Sequence, residues 1–349
     1  MWLYRFRIIS LCVFSLFIGL FCLGVLYQFI STELDEIRYP APGKLVDIGG
    51  YKMHINCSGS GGPSVILDAG GGHFSLSWAF VQPEIAEFTH VCSYDRAGTG
   101  WSESSPLSRT AQSIVKELHD LLQTAHVPKP YILVGHSIGG IYMRLYANTY
   151  PEEVYGVVLV DSSHELQQKK MQEFGLRCPQ QNEPFMQKLL GWFAGSYIAD
   201  ISGLTRLYLK LLYKDFIAGS PESVRAKFES RLILPSSWHA MMQGNFDEDY
   251  RQLKNSKNLL DNKPLIVISA GKTPTPQKVG LSQDTEHQEL SKIYTEFHYK
   301  VWLPLQKDLA TKSTRGKQLI AEKSDHMINF YQPEIIVSAI KEMVDEYRR

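Results

Sequence analysis

The hydrophobic pattern divides the chain into an apolar N-terminal segment and a longer region of short buried runs and amphipathic stretches. Residues 8–30 carry no charge and are long enough to cross a hydrocarbon core of about 30 Å as a helix. Arg5 and Arg7 precede this segment, acidic residues follow it, and basic residues favour the cytoplasmic side. We therefore expect a single-pass membrane anchor at 8–30, with residues 1–7 in the cytoplasm and the remainder outside. Secretion after cleavage of a signal peptide is the alternative.

Beyond the anchor the pattern predicts strands that alternate with helices. Residues 31–43 contain two prolines and are typical of a linker. Amphipathic periodicity predicts helices over 78–88 and 108–125, and a last helix that begins at Pro333. Apolar runs typical of strands occur at 44–48, 51–57, 64–68, 89–94, 131–134, 157–160, 265–269 and 318–321. This alternation predicts an α/β fold, a mostly parallel sheet with helices on both faces and ligands beyond the carboxyl ends of its strands.

The alternation stops between residues 162 and 263, where no clear strand occurs. A structureless connection of about 100 residues is uncommon in a compact domain. We therefore predict an inserted helical cap at 162–263, with the α/β core formed by 44–161 and 264–349. Apolar patches in this insertion, such as 189–193 and 204–212, are interpreted as cap core. An acyl-binding wall and a membrane-docking surface are the alternatives.

Composition and charge exclude some classes of partner. The chain has 44% hydrophobic residues and equal numbers of basic and acidic residues, 36 each, so nothing indicates a nucleic-acid partner. The five cysteines are an odd number, which favours free thiols over a disulfide framework. A Cys57–Cys92 bridge outside the cytoplasm is the alternative. We expect no metal and no other cofactor, because the chain lacks H-E-x-x-H, paired C-x-x-C and phosphate-binding glycine motifs.

One short motif carries the candidate chemistry. An apolar run enters the sequence Gly-His-Ser-Ile-Gly at 135–139, and helical periodicity follows it. A strand, a sharp turn and a helix around G-x-S-x-G would hold the Ser137 hydroxyl above the carboxyl edge of the sheet. A serine hydroxyl is a weak nucleophile by itself, so it needs a base and a group that orients the base. We interpret His136, adjacent to the serine, as a structural residue packed behind the turn.

Two further motifs complete a resemblance to a known family. Residues 95–102 read Asp-Arg-Ala-Gly-Thr-Gly-Trp-Ser, and residues 324–326 read Ser-Asp-His. Together with 135–139 they resemble the nucleophile turn, the loop after strand four and the histidine loop of the α/β-hydrolase family. The resemblance covers roughly residues 44–349. It implies an eight-stranded sheet, the chain order Ser, acid, His, no cofactor, and His326 as the catalytic base. We interpret Asp95 and Arg96 as a structural brace for the loops.

The acid and the oxyanion hole are less directly indicated. Most relatives carry the acid after strand seven, but here no carboxylate follows that strand until Asp284. Asp161, which ends strand six, is therefore the preferred acid, and Asp284 is the alternative. The oxyanion hole needs two converging backbone N–H groups. By register these are the N–H of Gly71, with Gly72 as second choice, and the N–H of Ile138.

These residues predict a serine hydrolase that cleaves a carboxylic ester through an acyl-enzyme intermediate. The substrate would be a small apolar molecule selected by a pocket under the cap. An amidase or peptidase with the same triad is one alternative, and a non-catalytic ligand-binding protein on the same fold is another. Serine at the position of the nucleophile argues against epoxide hydrolysis, for which relatives use aspartate.

Overall fold

The structure of the protein is a computed structural model that describes residues 2–174, 199, 201–212, 222–232, 253, 260–273 and 292–349. Its strands are β1 Lys44–Asp47, β2 Lys52–Ser58, β3 Ser64–Asp68, β4 Val91–Tyr94, β5 Tyr131–His136, β6 Val154–Val160, β7 Leu265–Ala270 and β8 Gly316–Ala321. Its α-helices are α1 Trp2–Arg38, α2 Gln82–Ala86, α3 Ala111–Thr124, α4 Gly139–Thr149, α5 Gln167–Glu173, α6 Leu204–Leu212, α7 Glu222–Leu232, α8 Leu303–Ala310, α9 Ile328–Tyr331 and α10 Pro333–Tyr347.

The eight strands form one sheet in the order β1-β2-β4-β3-β5-β6-β7-β8. The pairs β1–β2 and β2–β4 are antiparallel, and the remaining pairs are parallel. The predicted α/β fold with a mostly parallel eight-stranded sheet is therefore confirmed. Parallel pairing of β5 with β6 brings their carboxyl ends to the same edge, where Ser137 and Asp161 begin the following loops.

Two hydrophobic clusters cover the two faces of the sheet. In β5, Leu133 belongs to the cluster that includes α3 and α4, whereas Ile132 and Val134 belong to the cluster that includes α2 and α10. Successive strand residues point to opposite faces, so a sheet covered on both faces has apolar residues at consecutive positions. This explains the unbroken apolar runs of the central strands.

One predicted helix is interrupted. The prediction of a single helix over 78–88 is wrong, because the structure has a 3₁₀ turn at Ser75–Trp78 and a separate helix, α2. Pro83 lies in the first turn of α2. A continuous helix would place a residue without an N–H at an interior position, whereas the first turn tolerates it.

The N-terminal helix α1 continues through the first part of the segment predicted as a linker. From Tyr4 to Arg38 the helix is long and apolar enough to cross a membrane, and its apolar side chains are largely exposed. The helix ends at Arg38, and its last turns are held by tertiary contacts. The guanidinium of Arg206 in α6 donates to Gln28, Thr32 and Asp35 of α1.

The preference for free thiols at Cys57 and Cys92 is wrong, because these residues form a disulfide. They occupy paired positions on the antiparallel strands β2 and β4, with their Cα atoms 4.1 Å apart. That register could not be read from the number of cysteines. Cys12 and Cys22 are free and exposed on α1, whereas Cys178 lies outside the described residues.

The described residues between β6 and β7 are mostly helical, as the predicted cap requires. Phe228 of α7 is buried, and its ring stacks on that of Phe74 in the core at 4.7 Å between centroids. The segment 204–212 forms α6, but three of its leucines are exposed, so their interpretation as cap core is wrong. The predicted patch at 189–193 lies outside the described residues.

Candidate active site

Ser137 lies in a strained turn between β5 and α4. Its φ is +53°, a left-handed conformation that is uncommon for residues with a side chain. A Cβ at Gly135 would lie 2.6 Å from the backbone of Gly139, and one at Gly139 would lie 2.7 Å from the carbonyl oxygen of Ala69. The turn can therefore form only with glycine at both positions. It holds Ser137 at the carboxyl edge of the sheet, as the motif predicts.

His326 and Asp161 form a hydrogen-bonded pair at the same edge. His326 Nδ1 lies 2.6 Å from Asp161 Oδ2. Asp161 follows β6, and Ser137 N donates to the carbonyl of Val160, the residue immediately before Asp161, at 3.0 Å. Asp161 is buried, whereas the side chain of His326 is 36% exposed to solvent. The alternative acid, Asp284, lies outside the described residues.

The second carboxylate oxygen of Asp161 is fixed by two donors. Oδ1 accepts hydrogen bonds from the N–H of Ala270 at 3.0 Å and from the indole N–H of Trp302 at 2.8 Å. Burial by itself would raise the pKa of Asp161. The hydrogen bond and the charge of His326, together with these two donors, outweigh burial and lower the pKa below its usual value. Asp161 is therefore ionised and held in one orientation.

The pKa of His326 is shifted in the opposite direction. Burial would lower it, but the hydrogen bond to Asp161 and the charge of that carboxylate raise it above the ordinary value of 6.5, and Asp325 contributes in the same direction. Because Asp161 only accepts, Nδ1 of His326 must carry the proton. In the neutral ring Nε2 is then free to accept a proton.

His136 holds the loop that carries His326. Its Nε2 donates to the main-chain carbonyl of His326 at 2.9 Å, and the two rings lie 4.7 Å apart between centroids. Burial and the neighbouring His326 lower the pKa of His136 well below its ordinary value, so its ring is neutral. The interpretation of His136 as a structural residue agrees with these contacts. Its hydrogen bond, however, is made with the loop that carries His326 and not with the packing behind the turn.

Among the hydrogen bonds of the described residues, none joins the hydroxyl of Ser137 to His326. Catalytic hydrogen bonds of free enzymes are often long and shorten only when substrate binds. The fold brings Ser137 to the same sheet edge as the histidine–aspartate pair, and His136 contacts His326 directly. The arrangement therefore contains a hydrogen-bonded histidine–aspartate pair at the same sheet edge as Ser137.

The predicted oxyanion donors, Gly71 and Ile138, lie side by side. A Cβ on Gly71 would be 3.7 Å from Ile138 Cγ2, and Gly71 is exposed. Within the described residues, the N–H groups of Gly71 and Ile138 have no hydrogen-bond acceptor. Ile138 directly precedes α4, and the N–H groups at a helix N-terminus are free to bind an anion.

Arg96 stabilises the loop that presents Gly71. Its guanidinium donates to Asp68 Oδ1, to the carbonyl of Ala69 at 2.7 Å and to the carbonyl of Gly70. Asp95, in turn, accepts from the backbone N–H of Ser75 at 2.8 Å. These contacts agree with the interpretation of both residues as a brace.

Two clusters of potential metal ligands occur among the described residues, and neither offers a free set of donors. In the first, Cys57 and Cys92 are joined in the disulfide beside His90. The second contains His164, Glu165 and Asp308. Both of its carboxylates are ion-paired, Glu165 with Arg144 and Lys312, and Asp308 with Lys312.

Sequence reasoning missed one residue of the site, Trp302, and the contact that His136 makes with the loop of His326. Trp302 donates to Asp161 from a π-helical turn at His298–Trp302, and no local motif indicates that a tryptophan there reaches Asp161. The contact of His136 with the carbonyl of His326 joins residues 190 positions apart. The position of His136 within the serine motif indicates that the residue matters, but it does not indicate that His136 holds the loop of His326.

The chain belongs to the α/β-hydrolase family. Residues 63–299 match the family's sequence profile, described as the alpha/beta hydrolase fold. This match covers β3 to β7, and it includes the serine turn and Asp161 but not His326. The expectation drawn from the three motifs is therefore confirmed at the level of the family, and the protein is an α/β hydrolase.

Individual relatives are distant. The chain is 26% identical to the YqjL protein of Bacillus subtilis, over 85% of this chain and 90% of that one. It is also 26% identical to a probable transporter, efuK, of Hormonema carpetanum, over 87% of this chain but only 43% of the longer protein. Among solved structures, a thermophilic esterase from Thermogutta terrifontis superposes with a TM-score of 0.57 at 15% identity, covering 86% of this chain and 96% of the esterase. The epoxide hydrolase CorEH gives 0.58 at 17% identity, covering 87% and 98%.

Proposed function

We propose that the protein is a serine hydrolase that cleaves a carboxylic ester through an acyl-enzyme intermediate. The observation that carries this proposal is the 2.6 Å contact between His326 and Asp161 beside Ser137 in its left-handed turn. A buried, ionised carboxylate that fixes the tautomer of a solvent-accessible imidazole is the arrangement that activates a serine. Epoxide hydrolysis is disfavoured because Ser137 occupies the position at which relatives with that activity carry aspartate.

In the first half of the proposed reaction, Ser137 Oγ attacks the ester carbonyl while His326 Nε2 takes the hydroxyl proton. The carbonyl oxygen becomes an oxyanion, which accepts hydrogen bonds from the N–H groups of Gly71 and Ile138. The imidazolium of His326, stabilised by Asp161, then gives its proton to the departing alkoxide. This step breaks the ester C–O bond and leaves the acyl group on Ser137.

In the second half, His326 takes a proton from water, and the resulting hydroxide attacks the acyl carbon. Collapse of the second tetrahedral intermediate returns the proton to Ser137 Oγ and releases a carboxylic acid. The proposed reaction uses no cofactor.

The surroundings of the site support an apolar substrate. Phe228 of the cap stacks on Phe74 and packs edge-on against His73, at 5.4 Å between the ring centroids of Phe228 and His73. His73 and Phe74 directly follow Gly71 and Gly72, the candidate oxyanion donors. A carboxylic ester is preferred over an amide because a chain of the same fold is named an esterase. The same three residues would also cleave an amide, so amide hydrolysis remains the second candidate.

A substrate panel tests this proposal. The purified full-length protein, in detergent, would be assayed with nitrophenyl esters and nitroanilides of the same acyl groups, with Ser137→Ala as control. We expect hydrolysis of the esters that exceeds hydrolysis of the anilides and is lost in Ser137→Ala. Equal activity of the Ser137→Ala variant would contradict the role of Ser137, and faster anilide hydrolysis would favour the amidase.

We also propose that α1 is retained as a single-pass anchor, with its N-terminus in the cytoplasm and the catalytic domain outside. Arg5 and Arg7 support this orientation. The Cys57–Cys92 disulfide supports it independently, because disulfides persist in oxidising compartments. The buried guanidinium of Arg206 binds Gln28 within α1, a contact that cleavage of a signal peptide after residue 30 would remove. The proposed division is an anchor at 8–30, a linker at 31–43 whose first part continues helix α1 to Arg38, a cap at 162–263 and a core formed by 44–161 and 264–349.

A further inference from the structure

The cap helix α6 presents a row of exposed leucines. Leu204, Leu207 and Leu211 are 44%, 49% and 66% exposed. At 3.6 residues per turn, their positions fall within roughly 60° of one another around the helix axis. Single exposed leucines are common, but an aligned row of three on one helix forms an exposed apolar surface, which is typical of an interaction site.

The position of α6 relative to α1 is fixed by close contacts. A Cβ on Gly24 would collide with the backbone oxygen of Ser202, so the backbone that leads into α6 touches α1 at a glycine. One turn further along α1, Gln28 Oε1 accepts from Arg206 Nε at 3.0 Å. Two turns beyond Gln28, the carboxylate of Asp35 pairs with the guanidinium of Arg206 at 2.6 Å. Arg206 is 1% exposed, so this contact is buried and specific.

These contacts also set the depth of α6 relative to a membrane. Gly24 lies six residues before the end of the uncharged segment at 8–30, which is about 9 Å along a helix with a rise of 1.5 Å per residue. Amphipathic helices at a membrane surface bury their apolar face about 5–10 Å into the boundary between headgroups and acyl chains. The beginning of α6 therefore lies at the level that such helices occupy.

We propose that α6 docks on the outer surface of the same bilayer that α1 crosses, with Leu204, Leu207 and Leu211 in the boundary between headgroups and acyl chains. Exposed Lys210 lies about 100° around the helix from Leu211 and can reach the phosphates of the headgroups. The cap would then rest on the membrane through both α1 and α6. This inference depends on the proposed anchoring by α1, but not on the proposed hydrolytic step.

An environment-sensitive fluorophore tests the docking directly. Cys12, Cys22 and Cys178 would be replaced by serine, and a thiol-reactive fluorophore attached to Leu207→Cys in the full-length protein. The labelled protein would be reconstituted in phosphatidylcholine vesicles, with or without lipids that carry a nitroxide near the headgroup end of the acyl chain. Leu107→Cys, at a residue 46% exposed in the loop before α3, is the matched control, and Leu16→Cys reports insertion of α1.

We expect the probe at residue 207 to emit at shorter wavelength than the probe at 107, and to lose fluorescence when the nitroxide lipid is present. The probe at 107 should be unaffected, and the probe at 16 should be shielded from water. Equal emission and equal quenching at 207 and 107 would overturn the proposal, as would a probe at 16 that remains in water. Because the readout needs no catalysis, its failure is distinguishable from failure of the hydrolase assignment.

Discussion

The most informative single substitution is Asp161→Asn, because the structure predicts how the amide would orient. The Oδ1 position of Asp161 accepts from two N–H groups, of Ala270 and Trp302, and the Oδ2 position accepts from His326. The single oxygen of asparagine would face the two donors, so its NH₂ group would face His326 Nδ1. His326 would then carry its proton on Nε2 and could not accept the proton of Ser137.

A wrong tautomer of the base lowers the rate of a serine hydrolase by about 10⁴-fold. This corresponds to about 5 kcal/mol of transition-state stabilisation at 1.36 kcal/mol per factor of ten. The assay is kcat/KM for a nitrophenyl ester, with thermal unfolding measured beside it to confirm that the variant folds. Asp284→Asn, which removes the alternative acid, is the matched control and should retain activity. An Asp161→Asn variant within about tenfold of the wild type, or a comparable loss in Asp284→Asn, would refute the assignment of the acid.

Three further predictions follow from the same contacts. Because Asp161 raises the pKa of His326 and the base must be neutral, kcat/KM should fall on acidification through an apparent pKa above 6.5, and a midpoint below 6.5 would contradict this. His136→Ala should lower kcat about fivefold, which is equivalent to the loss of a hydrogen bond of about 1 kcal/mol. His136→Gln keeps a hydrogen-bond donor and should retain more activity. Equal losses in the two variants would count against the proposal that His136 positions His326 through its carbonyl. Replacing both disulfide cysteines by serine should lower the free energy of unfolding by about 3–4 kcal/mol for a separation of 35 residues, and an unchanged Tm would be inconsistent with the bridge.

The parts of the fold and site that follow from local pattern could be predicted from the sequence. The apolar run before Gly135, the two glycines around Ser137 and the helical spacing after it are local constraints, and the structure has the strand, turn and helix they predict. The proximity of Asp161 to Ser137 follows from one further rule. Adjacent parallel strands end at the same edge of a sheet, and β5 and β6 are adjacent.

Contacts that depend on register or on distant packing could not be predicted. The Cys57–Cys92 bridge requires the antiparallel alignment of β2 with β4, which a count of cysteines does not contain. Trp302 reaches Asp161 across 141 residues, because a helical turn after the cap insertion packs against the end of β6. The interruption of the predicted helix at 78–88 was readable in principle, since Pro83 lies inside that range.

Mapping the site of covalent modification tests the central claim most directly. The wild-type protein, Ser137→Ala and His326→Ala would be treated with a fluorophosphonate, digested and analysed by mass spectrometry. We predict one phosphonate adduct on residue 137 of the wild type, none in Ser137→Ala, and strongly slowed modification in His326→Ala. An adduct on a different serine, or folded wild-type protein that is never modified, would contradict the claim that Ser137 is a nucleophile activated by His326.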